Sequence, residues 1–64
     1  MNPMNLFRCK TIPQYKIGEW LMAQGVTRED IADAELIDRN TVQLTNPAGQ
    51  YIIVQWADGQ ATLI

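Results

Sequence analysis

The chain has 64 residues, of which 47% are hydrophobic, and a formal net charge of −2. This length allows a single domain, residues 1–64, with one small core, and the apolar share excludes a disordered chain. The five basic residues are too few for the broad basic surface of a nucleic-acid-binding protein, so nucleic acid is not an expected partner.

The single cysteine, Cys9, excludes an internal disulfide and is typical of a reducing compartment. The first residues lack the charged start and apolar run of a signal peptide. No apolar run approaches the roughly 20 residues of a membrane span. We therefore expect a cytoplasmic protein that does not enter a membrane.

The first predicted elements are a short segment and a helix. Residues 6–12 alternate imperfectly, which favours either a short extra edge strand or an extended arm over the core. Thr11 as cap, Pro13 in the first turn and Gly25 at the stop delimit a helix. Gly18 within it is expected to permit close approach to a sheet. The residues at helical spacing on its core face are Ile17, Trp20, Leu21 and Gln24.

The segment after the helix begins with a capping pattern, Thr27 followed three residues later by Asp30. This pattern predicts a single helical turn. Whether the helix continues as far as Ile37 is left open by the residues themselves.

Three turn signals predict a β-meander in the second half of the chain. Asp58-Gly59 is a two-residue hairpin signal, and Asn46 to Gly49 suits a three-residue loop with Gly49 in a left-handed bulge. A third loop, residues 38–40, is predicted to have three residues with Asn40 left-handed. These turns set the register of four strands.

The predicted register gives the sheet one apolar face, which the helix should cover. The result is an α+β domain with two layers: one N-terminal helix on a four-stranded antiparallel meander. The predicted core face holds Ala34, Leu36, Val42, Leu44, Ile52, Val54, Trp56, Ala61 and Leu63.

The other face of the predicted sheet is a candidate binding surface. Its apolar residues are covered by the N-terminal segment, or they are ordinary scattered exposed side chains, or the face docks a protein partner or a second copy. The last strand, residues 61–64, has no charge or proline to blunt its edge, which favours strand addition from another chain. The candidate partner-binding residues are Tyr51, Ile53, Ile64, Gln55 and Thr62.

An acidic segment is the second candidate surface, since five of the seven acids fall within ten residues. These acids either form a solvated face with capping roles, or make a negative surface that docks a basic partner or imitates nucleic-acid phosphates. Their spacing matches no calcium loop, so no metal is expected. The residues of this acidic patch are Glu29, Asp30, Asp33, Glu35 and Asp38.

Catalytic chemistry has little basis in this sequence. Histidine, the commonest general base, is absent, and Cys9 has no recognisable base beside it. There is no glycine-rich phosphate loop. We therefore expect no enzymatic activity, no cofactor and no small-molecule substrate.

One pattern points to a different class of protein. Its residues are Thr27, Ile31, Ala32, Ile37, Thr41 and Val42. Their spacing resembles the helix-turn-helix of many bacterial transcription regulators. The resemblance implies a winged DNA-binding regulator whose recognition helix starts near Asp38, with Arg39, Asn40 and Gln43 facing the major groove. This alternative requires helix where the meander has two strands, and residues 27–45 leave both open.

The functional hypothesis that these observations favour is a small, non-enzymatic accessory or regulatory protein. It would bind a protein partner, or itself as a homodimer, through the second sheet face or the acidic segment. In size and mild acidity the chain resembles accessory proteins carried by phages and mobile elements. The winged helix-turn-helix regulator is the alternative.

Overall fold

One helix packs on a four-stranded antiparallel sheet in the computed structural model, which describes residues 2–64. Two short 3-10 turns, Pro3–Asn5 and Arg28–Asp30, flank the helix along the chain. The sheet order is β1-β2-β3-β4, so the predicted α+β meander is confirmed. The main elements are α1 (Ile12–Ala23), β1 (Asp33–Asp38), β2 (Thr41–Thr45), β3 (Tyr51–Ala57) and β4 (Gln60–Leu63).

The ends of α1 follow the predicted capping signals. Thr11 Oγ1 accepts a hydrogen bond from the Gln14 N–H (3.2 Å), and Gln14 Oε1 accepts one from the Thr11 N–H (3.2 Å), which completes a capping box. The chain leaves the helix through Gly25, whose φ of 86° suits glycine.

The buried face of α1 is rotated relative to the prediction. Ile17 and Leu21 are buried as expected, but Trp20 is half-buried and Gln24 is exposed. Gln14, which is not among the residues predicted on the core face, is only 3% exposed. Its amide is satisfied by three backbone groups, which allows a polar side chain to be buried at this position.

The predicted register from β2 to β4 is confirmed. Gly49 has a φ of 88°, and the Asn46 N–H donates to the Gln50 carbonyl at 2.8 Å, as the bulged turn requires. At the second turn Asp58 and Gly59 both have positive φ, 54° and 75°, which suits a tight two-residue hairpin. The confirmed opposed pairs include Leu44–Ile52, Val42–Val54, Trp56–Ala61 and Val54–Leu63.

The turn between β1 and β2 differs from the prediction, although Leu36 still opposes Val42. Asp38 pairs with Thr41, so the loop between the strands has two residues and not the predicted three. The additional residue lies within β1, where the register is irregular between Leu36 and Asp38. In residues 2–64 the non-glycine residue with positive φ is Asp58, so the left-handed Asn40 is wrong. The Asn40 carbonyl instead accepts a hydrogen bond from the Trp56 N–H at 2.8 Å.

The N-terminal segment forms no strand, so the predicted extra edge strand is wrong. After the turn Pro3–Asn5, Leu6 and Phe7 enter the core between helix and sheet, each 7% exposed. Burying these two side chains corresponds to the alternative prediction of an arm over the core. Because the arm lies on the helix side, it does not cover the second sheet face.

The helix covers the middle of the sheet better than its β4 side. Val42 and Val54 in the centre of β2 and β3 are fully buried, whereas on the same face Leu63 of β4 is 58% exposed and Ile52, at the far end of β3, is 42% exposed. Trp56, predicted as a core residue, is half-buried. A helix is about 10–12 Å wide and four strands span roughly 14 Å between their outer axes, so a single helix leaves an outer strand partly bare.

Gly18 makes its close approach to the N-terminal turn, not to the sheet as predicted. A Cβ at this position would lie 2.7 Å from Pro3 Cβ. In an exposed part of a helix, Gly→Ala stabilises the protein by about 1 kcal/mol. We expect no such stabilisation from Gly18→Ala, because Pro3 would have to move to make room for the new Cβ. We would measure the free energy of unfolding in urea for Gly18→Ala, Pro3→Gly and the double variant. The summed effects of the two single changes should differ from that of the double change by a coupling energy of about 1 kcal/mol. Additive effects would show that the two sites do not touch.

The recognition helix implied by the helix-turn-helix resemblance is not formed. Residues 33–38 and 41–45 are strands, and the helical structure of residues 27–45 is limited to the turn Arg28–Asp30. The predicted single turn at this position is confirmed: the Asp30 carboxylate accepts hydrogen bonds from the Thr27 N–H (2.8 Å) and hydroxyl (3.1 Å). Arg39, Asn40 and Gln43 therefore lie in a turn and a strand.

Candidate protein-interaction surface

The face of the sheet opposite α1 is the main candidate surface. Strand alternation places the side chains of its residues on one side, and none of the described helical elements packs against it. Tyr51 and Ile64 are 63% and 71% exposed. By register the same face continues to Asp38 and the buried Thr41 at the β1–β2 turn. We call the rest of this surface the open face; its residues are Asp33, Glu35, Gln43, Thr45, Tyr51, Ile53, Gln55, Thr62 and Ile64.

All five predicted partner-binding residues lie together on the open face. Gln55 opposes Thr62 across β3 and β4, and the Ile64 N–H donates to the Ile53 carbonyl at 2.9 Å. Tyr51 lies two residues before Ile53 on the same strand. The three apolar side chains therefore form one cluster at the β3–β4 side of the face.

The acidic patch is divided by the fold. Asp33 and Glu35 of β1 oppose Thr45 and Gln43, so the register places these two acids on the open face. The polar strand β2 separates them from the apolar cluster. The open face therefore combines parts of both candidate surfaces. It has an acidic side on β1, a polar middle on β2 and an apolar side on β3 and β4.

The other three acids have different positions. The Asp30 carboxylate accepts a hydrogen bond from the Thr27 N–H and so caps the 3-10 turn Arg28–Asp30. Asp38 Oδ1 accepts a hydrogen bond from the Asn40 N–H at 3.0 Å, beside the β1–β2 turn. Glu29 is exposed on the 3-10 turn. Two of the five predicted acids therefore have local structural roles, and the acidic segment is not one continuous patch.

Charge on the open face is of one sign. Its two charged residues are Asp33 and Glu35, and none of its other members is basic. The ion pair that the described residues form, Lys16–Glu19 at 3.3 Å, lies on α1. Asp33 and Glu35 are both exposed and unpaired within the described chain, so they are available to a cationic partner.

Two clefts lie beside the sheet. One of about 240 Å³, between the C-terminal end of α1 and the β2–β3 hairpin, is smaller than most ligand pockets. The other, of about 480 Å³, is an open and polar cleft between residues 4–8 and residues 31–34. The first is lined mainly by Leu21, Val26, Ile31, Leu44 and Ile52.

The chain offers limited reactive chemistry near these surfaces. Burial raises the pKa of the Cys9 thiol, which lowers the thiolate fraction at neutral pH. Residues 2–64 contain no group of three side chains arranged to hold a metal ion. In the same residues, α1 and the two short turns lack the length and apolar character of a bilayer-crossing helix.

Comparison of this chain with protein-family models, curated proteins and solved structures finds no match. The case for function therefore depends on the geometry of the chain itself.

Two residues of the open face, Asp33 and Glu35, are predicted from the sequence only as members of the acidic patch. The signal that places them was present, since Ala34 and Leu36 were predicted to face the core and strand neighbours alternate. The sequence does not fix this placement, because residues 27–45 fit both a helix and a pair of strands.

Proposed function

We propose that this chain is a small non-enzymatic interaction protein, of an accessory or regulatory kind, that binds a protein partner through the open face. The observation that carries the proposal is that Tyr51, Ile53 and Ile64 share an uncovered sheet face with Asp33 and Glu35. Contiguous exposed apolar surface rimmed by polar residues is typical of interaction sites.

The chemistry of the open face favours a different protein over a second copy. If two open faces met, four carboxylates from Asp33 and Glu35 would enter an interface to which these faces bring no basic side chain. Unpaired charge that loses water is costly. The fitting partner presents apolar side chains opposite Tyr51 and Ile53, with lysine or arginine opposite β1.

Photocrosslinking in the expressing cells tests this proposal. With Tyr51→p-benzoylphenylalanine, irradiation should give one predominant covalent adduct with a protein that has a basic and apolar surface. The matched control is Tyr15→p-benzoylphenylalanine, because Tyr15 is also an exposed tyrosine but lies on α1, on the other side of the sheet. The control should not give this adduct.

The purified partner then allows a quantitative check. Glu35→Lys is expected to weaken its binding about fivefold, since exposed ion pairs contribute up to about 1 kcal/mol, and added salt should reduce the difference. Equal adducts from both tyrosine positions, a Tyr51 adduct formed with a second copy only, or no adduct would contradict the proposal.

A further inference from the structure

The outer edge of β4 carries unused backbone hydrogen-bonding groups. The Ile64 N–H donates to the Ile53 carbonyl, and bonded pairs alternate along an antiparallel ladder. Gln55–Thr62 and Ala57–Gln60 are therefore the next bonded pairs of this register. The N–H and C=O of Ala61 and Leu63 consequently point away from β3, toward the free edge.

The two edges of the sheet differ in how they are protected. Edge strands are commonly blunted by charged side chains and by bulges. Strand β1 has both, because it carries Asp33, Glu35 and Asp38 and an irregularity after Leu36. Strand β4, Gln60–Leu63, carries neither charge nor proline. Only the β4 edge of the described sheet is suited to accept another strand.

The β4 edge is also complementary to itself. We propose that two copies of this chain associate through antiparallel pairing of their β4 strands, with Ala61 of one copy opposite Leu63 of the other. In this register all four outward groups of each copy are paired, giving four new hydrogen bonds. Thr62 lies opposite its own counterpart near the two-fold axis, and no charged residues oppose each other.

Side-chain burial supports the same arrangement. Leu63 on the helix side and Ile64 on the open face are 58% and 71% exposed in the single chain. Pairing at the β4 edge places Ala61 of the second copy opposite Leu63, and the aliphatic stem of Gln60 opposite Ile64. The joined sheet has eight strands, and its two open faces form one continuous surface that could engage a partner at two sites.

This inference does not depend on the proposed function, since it concerns the edge of β4 and not the face. An interface of one strand is small, and interfaces below about 1,200 Å² are usually transient. We therefore expect reversible association that increases with protein concentration.

Sedimentation equilibrium and NMR of the full chain test the β4 pairing. The weight-average mass should rise toward that of a dimer as the protein concentration increases to about 1 mM. A dissociation constant of about this size is that of a weak association. Over the same range, the amide protons of Ala61 and Leu63 should become protected from exchange with solvent.

A pair of matched variants separates the edge from the face. Thr62→Lys brings two like charges together at the two-fold axis and should abolish association. Thr45→Lys makes the same change on β2 of the same face and should leave association unchanged. Leu63→Pro removes one outward N–H and should also abolish association. Circular dichroism of this variant should show that the sheet is retained.

A monomer at every concentration would overturn the pairing. So would equal losses of association in Thr62→Lys and Thr45→Lys, which would place the contact on the open face. If β4 pairing fails while the Tyr51 adduct with a basic partner is retained, the proposed function stands without it. If pairing holds and no partner is captured, only the proposed function is rejected.

Discussion

Replacing Ile17 with alanine is expected to lower the free energy of unfolding by about 2–5 kcal/mol, because this deletion leaves a cavity in a close-packed core. Ile17 is fully buried, and the core cluster it belongs to includes Leu21, Val42 and Val54. A 64-residue domain is stable by only about 3–10 kcal/mol. The variant should therefore unfold at a far lower urea concentration or be largely unfolded in buffer.

The control for this variant is Ile12→Ala, which makes the same chemical change on the same helix. Ile12 is 76% exposed, so its truncation should change the free energy of unfolding by less than about 0.5 kcal/mol. Urea denaturation followed by tryptophan fluorescence measures both. Similar midpoints for the two variants would show that α1 does not pack on the sheet through Ile17.

Replacing Gln14 with leucine is expected to cost about 3 kcal/mol, at roughly 1 kcal/mol for each of three hydrogen bonds. Gln14 Oε1 accepts from the N–H groups of Lys10 (2.7 Å) and Thr11 (3.2 Å), and Nε2 donates to the Asp38 carbonyl (2.9 Å). The Thr11 hydroxyl donates to the Arg39 carbonyl beside it. These contacts join the start of α1 to the β1–β2 turn.

Gln24→Leu is the matched control, because Gln24 is exposed at the other end of the helix. It should alter stability by less than about 0.5 kcal/mol, as measured by urea denaturation. If Gln14→Leu were as stable as this control, the buried amide would not hold the helix to the turn.

The two proposed surfaces have different chemical characters. The open face combines Asp33 and Glu35 with an apolar cluster, which suits a basic and apolar partner. The β4 edge is uncharged, which suits a second copy. Because they involve different groups of the same sheet, one molecule can use both at once.

Much of this fold follows from local interactions, which sequence determines directly. Thr11 and Gly25 bound the helix because capping involves residues a few positions apart. Gly49 and Asp58-Gly59 set the register from β2 to β4, because a turn type fixes which residues oppose each other. The composition of the open face follows from that register and from strand alternation, including Asp33 and Glu35 once β1 is known to be a strand.

The tertiary structure decided what depends on distant contacts. Leu6 and Phe7 lie in the core because a narrow helix leaves space beside it, and Gln14 is buried because the Asp38 carbonyl lies within its reach. The same limited coverage leaves Leu63 exposed at β4. Local sequence therefore determined the ends of the helix and the pairing from β2 to β4, whereas the tertiary structure decided that β1 is a strand and which faces and edges stay open to a partner.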